Sequence, residues 1–261
     1  RISEGKRLVV VGGGFIGSEV AATAKQMGAD VTVLEALPVP LSRVLGDRIG
    51  AACASLHETH GVDIRTGTGV SAIAVDGDHA VVSLEGGTSI SADVVVVGIG
   101  IIPTTSWLED SHLEIGDGLL VDEMLYASDH VLAAGDVARF EDRRTATTTR
   151  AEHWTNAAEQ GAAAAHNLLA GRADSEPYRP LPYIWSDQYD IKIQVLGDPR
   201  ADDTVELVDG TFSEGRFVAL FGREGKLSAA VGFGRPRQLM GFRSLLIDGV
   251  TFDQALRSVK E

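Results

Sequence analysis

The stretch RLVVVGGGFIGSEVAATAKQMGADVTVLEA, residues 7–36, constrains this chain more than any other. Its opening, RLVVVG, is a continuous apolar run, as a parallel strand covered on both faces requires. Gly12, Gly14 and Gly17 follow at the G-x-G-x-x-G spacing. The spacing predicts a helix next, with Val20, Ala21, Ala24 and Met27 on one face and Gly28 as its stop. ADVTVLE then reads as a second strand ending in the acid Glu35, eighteen positions past Gly17. The whole is a β-α-β unit. Each glycine has a physical task in it: Gly12 permits the tight turn, Gly14 lets backbone approach a pyrophosphate, and Gly17 lets helix pack on strand. The helix amino terminus offers free N–H groups and its positive dipole end to phosphate. Glu35 is placed to accept from the ribose hydroxyls of NAD and to repel the 2′-phosphate of NADP. NADH is therefore the expected cofactor. Arg43, eight residues further on, is the side chain an NADP phosphate would use.

The remainder alternates in kind. A helix is predicted from about Leu45 to Thr59, ended by Gly61, then a strand in VDIRTG. From about Val70 to Ile90, short alternating segments separated by Asp-Gly and Gly-Gly predict a three-stranded antiparallel insert. DVVVVGIG resumes the parallel sheet. A short strand, VLAAGD, a long small-residue helix, TNAAEQGAAAAHNLLAG, strands over roughly 183–234 and a final helix near 251–259 complete the pattern.

Composition removes several classes. With 44% hydrophobic and 23% charged residues the chain reads as globular, and no apolar run reaches 18 residues, so no membrane span is expected. RISEGKR has no signal-peptide core behind it other than the first strand, which makes a cytoplasmic location the default. A net charge of −14, with no block of five basic residues, argues against nucleic acid. An acidic partner would need a local cluster, either Arg143, Arg144 and Arg150 or Arg235, Arg237 and Arg243. The single cysteine, Cys53, leaves no redox-active pair in this chain and reads as a small buried hydrophobe. No histidine spacing suggests a metal, and His57 and His60 share a predicted helix close to its end.

In order along the chain, VVVGGGFIGSEVAATA, VVVGIGIIP, LAAGDVA, EHWTNAAEQGAAAA and IWSDQYDIKIQVLG resemble the FAD-dependent, NADH-oxidising ferredoxin reductases. The types most similar by motif are the putidaredoxin, rubredoxin and aromatic-dioxygenase reductases. The resemblance implies an α/β chain with a Rossmann-like NAD domain carrying an antiparallel insert over 1–116. It implies the returning half of an FAD domain over 117–175 and a carboxy-terminal α+β domain over 176–261. Gly12, Gly14, Phe15, Ile16 and Gly17 would border the dinucleotide, with Gly98, Ile99 and Gly100 lining the same cleft and Glu19 near the nicotinamide. Asp136 would bind the ribityl chain of FAD. Trp185 and Trp154 would lie beside the flavin, towards the ferredoxin surface.

Such reductases also carry an earlier glycine signature for the FAD pyrophosphate, and none precedes Gly12 here. The expectation is one piece of a larger enzyme, self-associating through an incomplete FAD half. The complete enzyme would pass a hydride from NADH to FAD and single electrons to the ferredoxin of an oxygenase or P450 system. The alternatives are an FAD reductase of another acceptor, an NADH-binding module resembling apoptosis-inducing factor, and an inactive NAD-binding fragment.

Overall fold

The structure, a computed structural model, describes residues 2–142 and 147–259; Arg143 and Arg144 of the first basic cluster lie outside them. The chain divides into two compact units. One comprises the residues up to Gly100 together with those from Trp185 onward, and the other is Ile101–Ile184.

In the first unit β1 (Arg7–Val11), α1 (Phe15–Gln26), β2 (Asp30–Leu34), α2 (Ser42–Thr59) and β3 (Asp63–Arg65) follow one another as the glycines and apolar runs dictate. An antiparallel insert comes next: β4 (Val70–Asp76), β5 (His79–Leu84) and β6 (Ser89–Ala92). With β7 (Val94–Val97) the parallel sheet has the order β3-β2-β1-β7. The continuous apolar run of β1 is explained by burial on both faces. Leu8 and Val10 pack with Ala21, Ala24, Val31 and Val33. Val9 and Val11 pack with Leu34 and with Val82, Leu84 and Ala92 of the insert.

Two helix ends follow from glycine. At the end of α1, Gly28 has φ 84°, its N–H donates to the Lys25 carbonyl, and Ala29 N–H donates to the Ala24 carbonyl. Gly61, at φ 77°, closes α2 the same way, with Val62 N–H donating to the His57 carbonyl. These are Schellman caps, where a residue with a Cβ would be strained. Met27, expected on the buried face, is instead 51% exposed, because it is the cap residue and has left the helical path.

The second unit holds β8 (Ile115–Gly116), β9 (Gly118–Val121), β10 (Tyr126–Ser128), β11 (Val131–Leu132), β12 (Ala138–Asp142), β13 (Thr147–Thr149) and α3 (Trp154–Ala170). Its sheet runs β13-β12-β9-β8, and Leu119, Val121, Leu125 and Phe140 form its core.

The carboxy-terminal part is a five-stranded antiparallel sheet built from β14 (Tyr183–Gln188), β15 (Ile191–Gly197), β16 (Thr204–Thr211), β17 (Arg216–Arg223) and β18 (Lys226–Phe233). Its order is β14-β15-β18-β17-β16. The short helices α4 (Pro236–Met240), α5 (Arg243–Asp248) and α6 (Phe252–Ser258) bury Leu239, Leu246 and Ala255. Thr251 and Gln254 form a capping box at the start of α6. Helix α2 joins this part to the first: Arg48 donates to the Val205 carbonyl at 3.1 Å and lies 5.2 Å over the Phe212 ring.

Candidate functional site

In the parallel sheet β1 has β2 on one side and β7 on the other, so the strand order reverses beside it. Open α/β sheets bind ligands in the crevice outside the carboxyl ends of their strands at such a point. Val11 pairs with Val97 there, and Gly98 N–H donates to the Val11 carbonyl at 2.8 Å. A cleft of about 660 Å³ opens at this end, lined among others by Gly12, Gly14, Phe15, Glu35, Arg43, Gly98, Ile99 and Gly100.

The glycines are explained by what a Cβ would meet. At Gly12 it would collide with the Gly98 carbonyl, and at Gly17 with the Gly12 carbonyl, both backbone atoms that cannot swing aside. Gly12 also has φ 103°, a left-handed value. At Gly14 a Cβ would meet nothing within 4 Å, so this position faces open space where a ligand can approach the backbone. No side chain caps the amino terminus of α1, and its first N–H groups are left for an anion. The donor set and the open position at Gly14 fit a pyrophosphate.

Glu35 directly follows β2 at the cleft. Its carboxylate accepts from Gly13 N–H at 2.7 Å and from Leu37 N–H at 2.8 Å. Arg43 is exposed at the cleft rim. Of the other residues picked from the sequence, Gly17 is buried beneath the turn, Ile16 is 67% exposed, and Glu19 is half-buried on α1, outside the cleft lining.

Asp136 lies in the second unit, in a single helical turn, Gly135–Val137, and is exposed. The turn is held from below: Gly135 N–H donates to Gln160 Oε1 at 2.7 Å, and Arg150 Nη1 donates to the Asp136 carbonyl at 3.2 Å. Trp154 is the first residue of α3 and 76% exposed. Trp185, on β14, is 40% exposed, with Lys192 Nζ 6.0 Å from its ring centre.

The two basic clusters are changed by their neighbours. Arg150 is buried between Asp117, at 3.0 Å, and Glu152, at 2.6 Å. Arg235 pairs with Asp209 at 3.0 Å. Neither Arg150 nor Arg235 is therefore an unpaired cation. Among the described residues no group of histidine, cysteine or carboxylate side chains is arranged to hold a metal, and no helix is long and apolar enough to cross a membrane. Burial pushes the Cys53 thiol up to about 12, which makes it an inert core residue.

Sequence reasoning missed one constellation in the first unit. His57 on α2 is buried, and its Nδ1 lies 2.9 Å from the Tyr189 hydroxyl and its Nε2 3.0 Å from Gln188 Oε1. His60 stacks on the Tyr189 ring at 3.7 Å. Tyr189 carries a left-handed φ of 56°, a strained value for an aromatic residue.

Comparison with known proteins follows the same division. The pyridine nucleotide-disulphide oxidoreductase family matches residues 1–161. The chain belongs to that family. A reductase carboxy-terminal domain matches residues 183–258. Rhodocoxin reductase of Rhodococcus erythropolis is 37% identical over 92% of this chain and 56% of its own length. The ferredoxin–NAD(+) reductase component of the anthranilate 1,2-dioxygenase system of Burkholderia cepacia is 36% identical over 97% of this chain and 62% of its own length. The chain thus spans about three fifths of the length of these relatives. Putidaredoxin reductase, in its covalent complex with putidaredoxin, superimposes with a TM-score of 0.89 at 30% identity, covering 99% of this chain and 64% of that one. The chain itself combines a Rossmann-like sheet, an antiparallel insert and a carboxy-terminal antiparallel sheet.

Proposed function

We propose that this chain is the NADH-binding and carboxy-terminal part of a flavoprotein that passes electrons from NADH through FAD to the [2Fe–2S] ferredoxin of an oxygenase or P450 system. The observation that carries the reading is the cleft at the carboxyl ends of β1 and β7, where an uncapped helix and an open Gly14 meet Glu35. The names of the relatives, two of them reductase partners of iron–sulfur or oxygenase systems, supply the acceptor.

When bound, NADH supplies a hydride and FAD converts that pair into single electrons. The chain's own contributions are binding and orientation. The α1 amino terminus meets the pyrophosphate, Glu35 accepts from the adenosine ribose, and Gly98, Ile99 and Gly100 line the cleft beyond the turn. Glu19 stays assigned to the nicotinamide side, and Phe15 to the border of the dinucleotide. Asp136, projecting from a turn fixed by Gln160 and Arg150, is the acceptor for the ribityl hydroxyls of FAD. The domain divisions near residues 116 and 176 and a cytoplasmic location belong to the same reading.

Wild-type chain titrated by calorimetry is expected to bind NADH at least tenfold more tightly than NADPH, because a 2′-phosphate would meet the Glu35 carboxylate. Equal affinities would remove the NADH assignment. Trp185 is assigned to the electron exit side, because it is partly exposed on the edge strand β14 rather than at the glycine cleft. In the flavin-bearing enzyme, Trp185→Ala is expected to slow ferredoxin reduction severalfold more than NADH-to-ferricyanide turnover. A uniform loss in both assays would count against it.

A further inference from the structure

We propose that Glu35 is a positioning residue for the glycine turn, holding the phosphate-facing backbone in its binding conformation before any nucleotide arrives. The inference rests on the reading of this cleft as a dinucleotide site and assigns Glu35 a task beyond accepting from ribose.

Three consecutive glycines, Gly12–Gly14, form the most conformationally free tripeptide a chain can offer, so left alone the turn would sample many shapes. In the structure both peptide groups of Gly13 are held by the segment that follows β2. Its N–H donates to Glu35 Oε2 at 2.7 Å, and its carbonyl accepts from Leu41 N–H at 3.2 Å. The other carboxylate oxygen accepts from Leu37 N–H at 2.8 Å, so one side chain ties the glycine turn to the 35–41 loop. That loop is anchored in turn, since Thr68 N–H donates to the Glu35 carbonyl at 2.9 Å and Gly67 N–H to the Leu37 carbonyl at 3.0 Å. Hydrogen bonds to an ionised acceptor are stronger than neutral ones, and two of them converge here.

The brace also explains the middle glycine, which the G-x-G-x-x-G spacing leaves unspecified. Gly13 has no left-handed φ to require it. Yet a Cβ there would sit 3.1 Å from Glu35 Oε2 and 3.2 Å from the Pro40 Cβ, wedging the carboxylate away from the turn. With Gly13 N–H turned to Glu35, the N–H groups left for phosphate are those at the start of α1. Their direction is set by the turn that Glu35 holds. A ligand that must order the turn for itself binds more weakly.

The test separates bracing from ribose recognition. In the ligand-free chain, amide hydrogen exchange followed by NMR is expected to show Gly13 protected, and Glu35→Ala is expected to speed its exchange at least tenfold. NADH affinity is expected to fall at least tenfold in Gly13→Ala, a variant that leaves the Glu35 carboxylate available to ribose. The double variant is expected to bind no more weakly than Glu35→Ala alone, because both changes break one device. If Glu35→Ala does not fold, Glu35→Gln serves: it keeps the shape and one acceptor, and exchange should rise at Gly13 or at Leu37. Unchanged exchange at both amides, or wild-type NADH affinity in Gly13→Ala, overturns the proposal. A wild-type chain that binds no NADH defeats the nucleotide reading instead, and the exchange experiment still decides the brace.

Discussion

Gly17→Ala is expected to weaken NADH binding by at least a hundredfold and to destabilise the chain, whereas Gly14→Ala is expected to weaken binding alone. A Cβ on Gly17 would lie 2.0 Å from the Gly12 carbonyl oxygen and 3.3 Å from the Val10 side chain. The first contact is with backbone, so relief requires α1 to move off β1 by more than 1 Å, roughly the difference from an ordinary van der Waals distance. Overpacking of this kind costs about 1–3 kcal/mol of stability. Moving the helix also carries its amino terminus away from the turn, and a hundredfold loss of affinity corresponds to about 2.7 kcal/mol. Gly14 has φ −74° and open space where a Cβ would go, so alanine fits the folded chain without strain. Its methyl group occupies the approach to the backbone. Thermal melting and calorimetric titration of both variants separate the two effects. NADH affinity within threefold of wild type in Gly17→Ala would show that this turn is not the nucleotide site.

That contrast shows what was legible in the sequence. The β1–α1–β2 unit, the antiparallel insert and β7 could be read because their signals are local: apolar runs, glycines at fixed spacing and Asp-Gly or Gly-Gly turns. The start of α2 could not. Ser42–Leu45 already forms a helical turn, Leu41 before it is left-handed at φ 58°, and Gly46 breaks the helix at φ 72°, ψ 170°. A Cβ at Gly46 would lie 3.5 Å from the Ala201 carbonyl, so a strand connection far along the chain packs against the break. The short helices α4 and α5 were missed because so few turns carry little periodicity, although Pro236 at the first position of α4 was a start signal. The basic cluster around Arg150 looked like surface only because Asp117, its partner, comes thirty-three residues earlier. Glu35 was legible as a ribose acceptor. Its bonds to Gly13 and Leu37 depend on how the loop after β2 folds back, which no spacing rule records.

His57 gives the second large expected effect, a loss of stability in mild acid. Its ring is buried, and burial lowers its pKa from the ordinary 6.5 to about 4; the Gln188 hydrogen bond opposes that shift and the nearby His60 adds to it. Gln188 Oε1 only accepts, so His57 Nε2 donates to it, and Nδ1 accepts from the Tyr189 hydroxyl. Gln188 Nε2 donates onward to Ser186 Oγ at 3.1 Å, completing a buried neutral chain between α2 and β14. A second proton on His57 has no acceptor, because Nδ1 already takes the tyrosine proton. Above pH 6.5 neither the folded nor the unfolded imidazole is charged, and the group leaves stability independent of pH. Between 6.5 and about 4 the unfolded chain takes up a proton that the folded chain refuses, so stability falls as pH falls and levels off below about 4. The full drop from this group is about 3 kcal/mol. His57→Leu should lower stability at pH 7 by about 2–5 kcal/mol, since it strands the Tyr189 hydroxyl and Gln188 Oε1. It should also remove this group's share of the slope. Urea unfolding of both chains at pH 7, 5.5 and 4.5 measures each effect, and other titrating groups cancel in the difference between the two curves. A difference that stays constant from pH 7 to 4.5 would mean that His57 accepts its proton in the folded chain as readily as in the unfolded one.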